Sequence, residues 1–297
     1  MKKSNNLIEL MQSKSILKVG GAFDAMSAKL VELQNFDAVW AGSFAISATH
    51  ALPDASILTM TEFLHVSQSM AETCNIPVIA DCDTGFGGPG NVSHLVKKYE
   101  KAGVAGISIE DKTFPKENSL LNDSNQTLIS EKEFVAKIIA AREAKNNDDF
   151  LLIARTEALI AEKGMHEAKK RATAYEKAGA DAILIHSKKD SPDEIFEFAD
   201  SWEGEIPLVV VPTTYPNVKI NELISHKIKM VIYANQTLRS AYSSMLETLK
   251  KIQNDDLVSL NDEIVPMEKI FDLQKMYDVK EEEREIKEEL KKMGYID

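Results

Sequence analysis

Short apolar runs rich in valine and isoleucine alternate along the chain with segments whose apolar residues follow a helical period of 3.6. Runs that are apolar at nearly every position are typical of strands buried on both faces of a parallel sheet. We predict helices between them, including 60–74, 92–102, 131–144 and 167–178. The predicted strands are 16–19, 38–40, 78–80, 106–109, 151–154, 182–185, 208–211 and 230–233. Eight such units predict the α/β class, as a (β/α)8 barrel of the TIM type.

Two stretches of the chain repeat one another, YEKAGVAGISIE at 99–110 and YEKAGADAILIH at 175–186. Each reads as the end of a helix, a turn containing glycine and a following strand. Gly103 and Gly179 stand where a left-handed residue would end the helix. The repeat therefore fixes where the strand begins at two places in the predicted barrel.

The character of the sequence changes near residue 250. Asn254, Asp255 and Asp256 resemble a linker, and residues 280–292 form a charged run that predicts a solvated helix. We therefore predict a catalytic barrel over residues 1–250 and a C-terminal helical extension over 251–297.

Composition and charge narrow the class of function. The 297 residues carry a net charge of −12, which argues against a nucleic-acid partner. An anionic ligand would need a local group of cations or a bound metal. Two cysteines are too few for a disulfide framework. The first fifteen residues lack the apolar core of a signal peptide, and the apolar runs are too short to span a membrane, so we expect a cytoplasmic protein.

Polar or ionisable residues follow nearly every predicted strand. In a barrel these strand ends share the C-terminal rim, where such enzymes place their chemistry. Arg155 and His186 directly follow apolar strands, so we expect both side chains to point into the mouth of the barrel. The rim residues are Asp24, Ser43, Asp81, Asp83, Glu110, Lys112, Arg155, His186, Thr213, Thr214 and Asn235.

Three carboxylates at neighbouring strand ends indicate a metal site. Asp81 and Asp83 are two residues apart, a spacing that places both on one face of a strand. With Glu110 they form an oxygen-donor set suited to Mg²⁺, with Mn²⁺ as a substitute. We expect Asp81 to bind the ion directly and the other two mostly through water. The alternative for Asp83 is a helix N-cap or a turn.

Arg155 and His186 are candidates for binding an anion. The planar fork of Arg155 suits a carboxylate or a phosphate. Alternatively, Arg155 makes a structural ion pair with Glu157 or Glu110, and His186 is a core histidine whose hydrogen bonds are satisfied. Cys82 should point away from the aspartates, into the packing between strands and helices.

The stretch after Trp40 and a glycine-rich loop complete the rim. Gly42, Ser43 and Phe44 can direct backbone N–H groups at an anion. Residues 85–90 are rich in glycine but match no nucleotide-binding fingerprint. We interpret the glycine-rich segment as a flexible loop beside the metal site.

Taken together, the motif DCDTGFG at 81–87, the motif EDK at 110–112, Arg155 and His186 resemble the isocitrate lyase / phosphoenolpyruvate mutase superfamily over residues 15–250. The carbon–carbon lyases of that superfamily carry a catalytic cysteine in a Lys-Lys-Cys-Gly-His type of motif, which this chain lacks. The EDK motif followed by Asn118 and Ser119 is similar to the signature of the phosphoenolpyruvate mutase family.

This resemblance implies an isomerase of phosphonate biosynthesis that interconverts phosphoenolpyruvate and 3-phosphonopyruvate. It implies that Mg²⁺ stabilises the pyruvate enolate during a loose phosphoryl transfer. Arg155 and His186 would then hold the phosphoryl group, and Asp54 matches by spacing an aspartate near it. Residues 112–119 would form a closing flap. The flap side chains that reach the substrate would be Lys116, Asn118 and Ser119.

One position separates two readings of the resemblance. Phosphonopyruvate hydrolases tend to have threonine where the mutases have the asparagine that stands here as Asn118. The chain also departs from the family, with Trp40-Ala-Gly-Ser-Phe44 where relatives often read Trp-x-Ser-Gly-Leu. Backbone N–H donation survives this exchange of small residues, whereas a side-chain contact does not carry over to Gly42.

The alternatives are a phosphonopyruvate hydrolase, a 2-oxo acid lyase or decarboxylase on the same barrel, and a non-catalytic anion-binding barrel. The last predicts a broken metal site, whereas all three carboxylates are present. The resemblance further implies a homotetramer, a dimer of dimers with the last helices exchanged between subunits.

Overall fold

A computed structural model describes residues 7–121 and 125–296. Eight parallel strands close into a barrel in chain order, so the predicted (β/α)8 fold is confirmed. The strands are β1 Leu17–Ala22, β2 Ala38–Ala41, β3 Val78–Asp81, β4 Gly106–Glu110, β5 Leu151–Thr156, β6 Ala182–Ile185, β7 Leu208–Val210 and β8 Ile228–Tyr233. The first six residues of the N-terminal segment discussed above, residues 122–124 and Asp297 lie outside the described part.

Helices surround the barrel and continue beyond it. Four of them, Met60–Thr73, Pro89–Lys101, Glu131–Ala144 and Gly164–Ala178, correspond to the four helices predicted from the 3.6-residue period. The helices are α1 Leu7–Ser13, α2 Ala25–Leu33, α3 Ser43–Thr49, α4 Met60–Thr73, α5 Pro89–Lys101, α6 Glu131–Ala144, α7 Gly164–Ala178, α8 Asp193–Asp200, α9 Ile220–Ser225, α10 Gln236–Gln253, α11 Leu257–Glu263, α12 Met267–Leu273 and α13 Met276–Lys292.

The strand limits differ from the prediction by a few residues. Strand β1 continues to Ala22 because Gly21 and Ala22 still pair with β2. Glycine carries no apolar side chain, so the apolar pattern appeared to end earlier than the hydrogen-bonded ladder does. Strand β7 ends one residue earlier than predicted, at Val210, and β8 begins two residues earlier, at Ile228.

Successive residues of each strand contribute to two apolar layers. On β5, Leu151 and Ile153 lie in the cluster inside the barrel, whereas Leu152 and Ala154 lie in the cluster between barrel and helices. This is the period of two that a strand imposes. Cys82 is fully buried in the outer cluster, as predicted.

The two repeated segments behave alike. Gly103 and Gly179 have φ values of 80° and 103°, so both adopt the left-handed conformation just after α5 and α7. Each turn leads into a strand at the predicted place.

The chain divides into two compact units, Met1–Arg239 and Ser240–Asp297. The division lies inside α10, eleven residues before the boundary predicted from composition, because the first unit ends at residue 239 and not at residue 250. Within the described ranges, no helix combines the length and apolar character needed to cross a bilayer.

Candidate active site

A cavity of about 610 Å³ opens at the C-terminal ends of the strands. It brings together most of the side chains predicted from the sequence. Asp83 and Glu110 are buried, 1% and 2% exposed, and are not among the residues that line the cavity. The predicted residues that line the cavity are Trp40, Gly42, Ser43, Phe44, Asp54, Asp81, Lys116, Asn118, Ser119, Arg155 and His186.

The carboxylates on one side of the cavity are fixed by the local backbone. Asp81 ends β3; its Oδ1 accepts a hydrogen bond from the Asp83 N–H at 3.3 Å, and its Oδ2 accepts one from Ser43 Oγ at 3.0 Å. The carbonyl of Asp83 accepts a hydrogen bond from the Glu110 N–H at 2.8 Å. The N-cap alternative for Asp83 is wrong, since the next helix, α5, is capped by Gly88. The turn alternative is confirmed, because Asp83 lies in a turn in which the Gly85 N–H donates to the Cys82 carbonyl at 2.9 Å.

Lys116 reaches from the flap into this carboxylate group. Its Nζ lies 2.6 Å from Asp83 Oδ1 and 2.9 Å from Asp54 Oδ1, and it donates to Ser43 Oγ at 3.1 Å. Burial alone would lower the pKa of Lys116, but Asp83 and Asp54 outweigh burial and hold that pKa well above its usual range. Burial raises the pKa of Asp83 to about 7 despite Lys116, because the Asp81 and Asp54 carboxylates add to it.

The carboxylate group fits a divalent cation. No three His, Cys, Asp or Glu side chains among residues 7–121 and 125–296 converge as ready-made ligands. However, Asp83 Oδ2 and Glu110 Oε1 are buried and lack a hydrogen-bond partner in the described part of the chain. Mg²⁺ takes oxygen ligands and usually binds through one or two carboxylates, water and substrate, so it does not need three convergent side chains.

Arg155 and His186 form a second cluster of side chains that line the cavity. Arg155 Nε lies 2.5 Å from Glu157 Oε1 and 3.2 Å from Glu110 Oε2, so both ion pairs considered from the sequence are present. Its Nη2 donates to Ser119 Oγ at 3.1 Å and lies 2.9 Å from His186 Nδ1. Arg155 is thus paired and also lines the cavity.

His186 is 6% exposed, and its Nδ1 lies 3.0 Å from Glu157 Oε1. Burial lowers the pKa of His186; Glu157 opposes that shift and Arg155 adds to it. The imidazole is therefore favoured in its neutral form at neutral pH.

Lys112, the first residue of the flap, forms an antiparallel bridge with Leu128. Its tip contacts the loop before α4, where Asn118 Nδ2 donates to Asp54 Oδ2 at 2.7 Å and the Lys116 N–H donates to Ser56 Oγ at 3.2 Å. The flap therefore lies across one side of the cavity.

Two buried charged residues, Lys112 and Glu157, were given no role in the predicted site, Lys112 being noted only at a strand end and in the flap and Glu157 only as a partner of Arg155. They are 2% and 0% exposed. Glu157 stands two positions after Arg155, the same spacing that pointed to Asp81 and Asp83. That spacing was the available signal. Asn235 and Thr213, noted only as strand-end residues, also line the cavity, and Asn235 Nδ2 donates to Thr213 Oγ1 at 3.3 Å.

The fold and the site define a class: a (β/α)8 barrel with buried carboxylates facing an arginine–histidine pair at the C-terminal rim. The family model described as phosphoenolpyruvate phosphomutase matches residues 7–253. The chain therefore belongs to the phosphoenolpyruvate phosphomutase family, and the resemblance noted in the sequence is confirmed.

Similar proteins carry the names of different enzymes. The chain is 43% identical to a phosphonopyruvate hydrolase of Variovorax sp. (strain Pal2), over 92% of this chain and 95% of that protein. A solved phosphoenolpyruvate phosphomutase from Streptomyces platensis subsp. rosaceus superimposes with a TM-score of 0.92 at 43% identity, covering 94% of this chain and 98% of that one. A phosphonopyruvate hydrolase solved with oxalate and Mg²⁺ gives a TM-score of 0.88 at 40% identity, covering 94% and 97%. These relatives are enzymes of one superfamily, and identity alone does not choose between their reactions.

Proposed function

We propose that this protein is an isomerase that interconverts phosphoenolpyruvate and 3-phosphonopyruvate. The observation that carries the proposal is Asn118, which sits on the flap with its amide nitrogen 2.7 Å from Asp54 at the edge of the cavity. The resemblance assigns asparagine to the mutases and threonine to the hydrolases at this position.

The reaction breaks the P–O bond of phosphoenolpyruvate and forms a P–C bond at the carbon that becomes C3 of 3-phosphonopyruvate, with no atom gained or lost. Asp81, supported by Asp83 and Glu110, would hold Mg²⁺, the ion found with oxalate in the hydrolase structure. When bound, the ion supplies positive charge that stabilises an enolate oxygen. The same residues would accept Mn²⁺.

The chain's own residues hold the phosphoryl group while the pyruvate part turns. Arg155 and His186 line the cavity together with Asp81. The phosphoryl oxygens would bind to Arg155 and His186, and the carboxylate end of the substrate would lie towards Asp81. Backbone N–H groups near Ser43 add donors, with Trp40 and Phe44 forming the apolar wall. This positioning is the main source of catalysis in a loose phosphoryl transfer.

Exclusion of water decides between isomerisation and hydrolysis. Asn118 and Lys116 both contact Asp54, so two contacts hold the flap tip against the barrel. Threonine at position 118 lacks the amide donor and is shorter, which leaves room for water. The flap contact therefore favours retention of the phosphoryl group until it is transferred to carbon.

Phosphorus NMR of the protein with Mg²⁺ and 3-phosphonopyruvate tests the proposal. We expect phosphoenolpyruvate as the product. Asn118→Thr should lower its formation by roughly 10–100-fold, with inorganic phosphate appearing instead. Asn125→Thr makes the same change at an exposed residue that follows the flap, and this variant should behave as wild type.

Inorganic phosphate and pyruvate from the wild type would contradict the isomerase and establish the second candidate, a phosphonopyruvate hydrolase, which is the name of one relative that is 43% identical to this chain. No turnover of 3-phosphonopyruvate would contradict both and leave a 2-oxo acid lyase or a non-catalytic barrel.

A further inference from the structure

Glu157 is a buried carboxylate that the reaction proposed above does not use. It follows β5 directly and is fully buried behind the cavity. The backbone of Glu157 is fixed by Asp111, whose Oδ1 accepts a hydrogen bond from the Glu157 N–H at 2.8 Å. A buried carboxylate is costly unless charged partners surround it, so its contacts reveal its role.

The two oxygens of Glu157 contact different parts of the site. Oε1 lies 2.5 Å from Arg155 Nε and 3.0 Å from His186 Nδ1, the pair that faces the cavity. Oε2 accepts a hydrogen bond from Ser119 Oγ at 2.6 Å and lies 3.3 Å from Lys112 Nζ, both of which belong to the flap. One planar group therefore joins the anion-binding pair to the flap.

The flap contacts are themselves connected. Lys112 Nζ donates to Ser119 Oγ at 2.5 Å and to the Glu117 carbonyl at 2.9 Å. Ser119 can reach Glu157 Oε2 only when this part of the flap lies over the cavity. When the flap opens, Glu157 Oε2 loses a hydrogen bond inside a low-dielectric site. The Glu157 carboxylate can then reorient together with Arg155 and His186.

We propose that Glu157 is a positioning residue that couples flap closure to the orientation of Arg155 and His186. It does not touch the substrate. This inference rests on the proposed function only in taking the ligand of Arg155 and His186 to be the phosphoryl group of the substrate. A closed flap fixes the carboxylate, and the carboxylate fixes both phosphoryl-binding side chains.

Hydrogen–deuterium exchange of flap residues 113–121, in Mg²⁺ buffer without substrate, tests the coupling. Glu157→Gln and Ser119→Ala should each speed exchange of the flap amides by about tenfold or more, since each removes a hydrogen bond to a charged group. The flap amides of the double variant should exchange no faster than those of the faster single variant, because both substitutions remove the same hydrogen bond between Ser119 and Glu157.

Asp181→Asn is the matched control. Asp181 precedes β6, bonds the Leu152 N–H at 2.7 Å and pairs with Lys145, so it is a carboxylate at the opposite end of the barrel. This variant should lower the melting temperature and leave flap exchange, kcat and KM as in wild type. Glu157→Gln should lower kcat/KM for 3-phosphonopyruvate by about 100-fold through misplacement of the binding pair.

Wild-type flap exchange in Glu157→Gln, or additive effects in the double variant, would overturn the proposal. If Glu157→Gln does not fold, Glu157→Asp decides in the same way, because it keeps the charge but draws it away from Ser119. Since exchange is measured without substrate, a protein that fails to convert 3-phosphonopyruvate contradicts the proposed function, and exchange alone then decides the role of Glu157.

Discussion

At the scale of single residues, two clusters of buried charged side chains border the cavity. Carboxylates gather around Lys116 in one cluster, and Arg155 and His186 surround Glu157 in the other. This arrangement suits a substrate with two anionic ends, one bound through a metal and the other bound directly by cationic or hydrogen-bonding groups.

His186 gives a pH prediction at this scale. Its folded pKa lies below the unfolded value of 6.5, mainly through burial, with Glu157 opposing the shift and Arg155 and Lys112 adding to it. The unfolded chain therefore binds more protons at acid pH. Stability from this group is complete above pH 6.5 and is lost as pH falls from 6.5 towards the folded pKa, at no more than about 1.4 kcal/mol per pH unit.

The measurement is the free energy of unfolding in urea, at about pH 8 and about pH 5.5, for wild type and His186→Gln. We expect wild type to lose more stability than the variant over this interval. The comparison cancels carboxylates such as Asp83, whose raised pKa acts in the opposite direction. An equal loss in both proteins would show that His186 titrates alike in the folded and unfolded chains.

At the scale of elements, the site depends on close strand spacing at β4 and β5. An added Cβ at Gly106 would lie 2.7 Å from both the carbonyl oxygen and the Cβ of Leu151. Gly106 begins β4, the strand that carries Glu110 at its other end, and β5 carries Arg155 opposite Glu110 in the ladder. The register that brings these two side chains together therefore starts at this glycine.

Gly106→Ala should destabilise the protein by about 1–3 kcal/mol, because the contact is with backbone and β-carbon atoms that cannot rotate away. Thermal unfolding measures the change. The control is Gly90→Ala on α5, where an added Cβ meets nothing within 4 Å and a neutral or slightly stabilising effect is expected. Equal effects at both positions would refute the strand-spacing argument.

At the scale of the whole molecule, the C-terminal helices present uncovered apolar side chains. No residue of α10 is buried, and Tyr242, Met245 and Leu249 recur on one face with exposures of 66%, 59% and 62%. An apolar stripe of this kind on a helix normally packs against another surface. We therefore propose that the protein forms the homotetramer that the resemblance implies, in which the last helices exchange between subunits.

Light scattering after gel filtration checks the assembly. We expect a mass four times that of the 33.0 kDa chain. Met245→Glu should reduce the mass to that of a smaller species, because it places a charge on the apolar face. Ser244→Glu adds the same charge to the opposite face and should leave the mass unchanged. A monomeric wild type would contradict the tetramer.

The sequence by itself determined the barrel and most of the rim. Strands follow one another in the barrel in chain order, so a local apolar pattern was enough to place Asp81, Arg155 and His186 at one end. Strand periodicity is a short-range property of the backbone. In a closed parallel sheet, the residue that follows each strand lies at the same end of the barrel, so the local pattern predicts where that residue lies.

The tertiary structure alone decided how the charges pair. Lys116 meets Ser43 across 73 residues of sequence, and Asn118 meets Asp54 across 64. Glu157 contacts Arg155 of β5, His186 directly after β6 and Ser119 of the flap. Such contacts depend on the path of a long loop and on the balance between burial and charge, which no local period encodes.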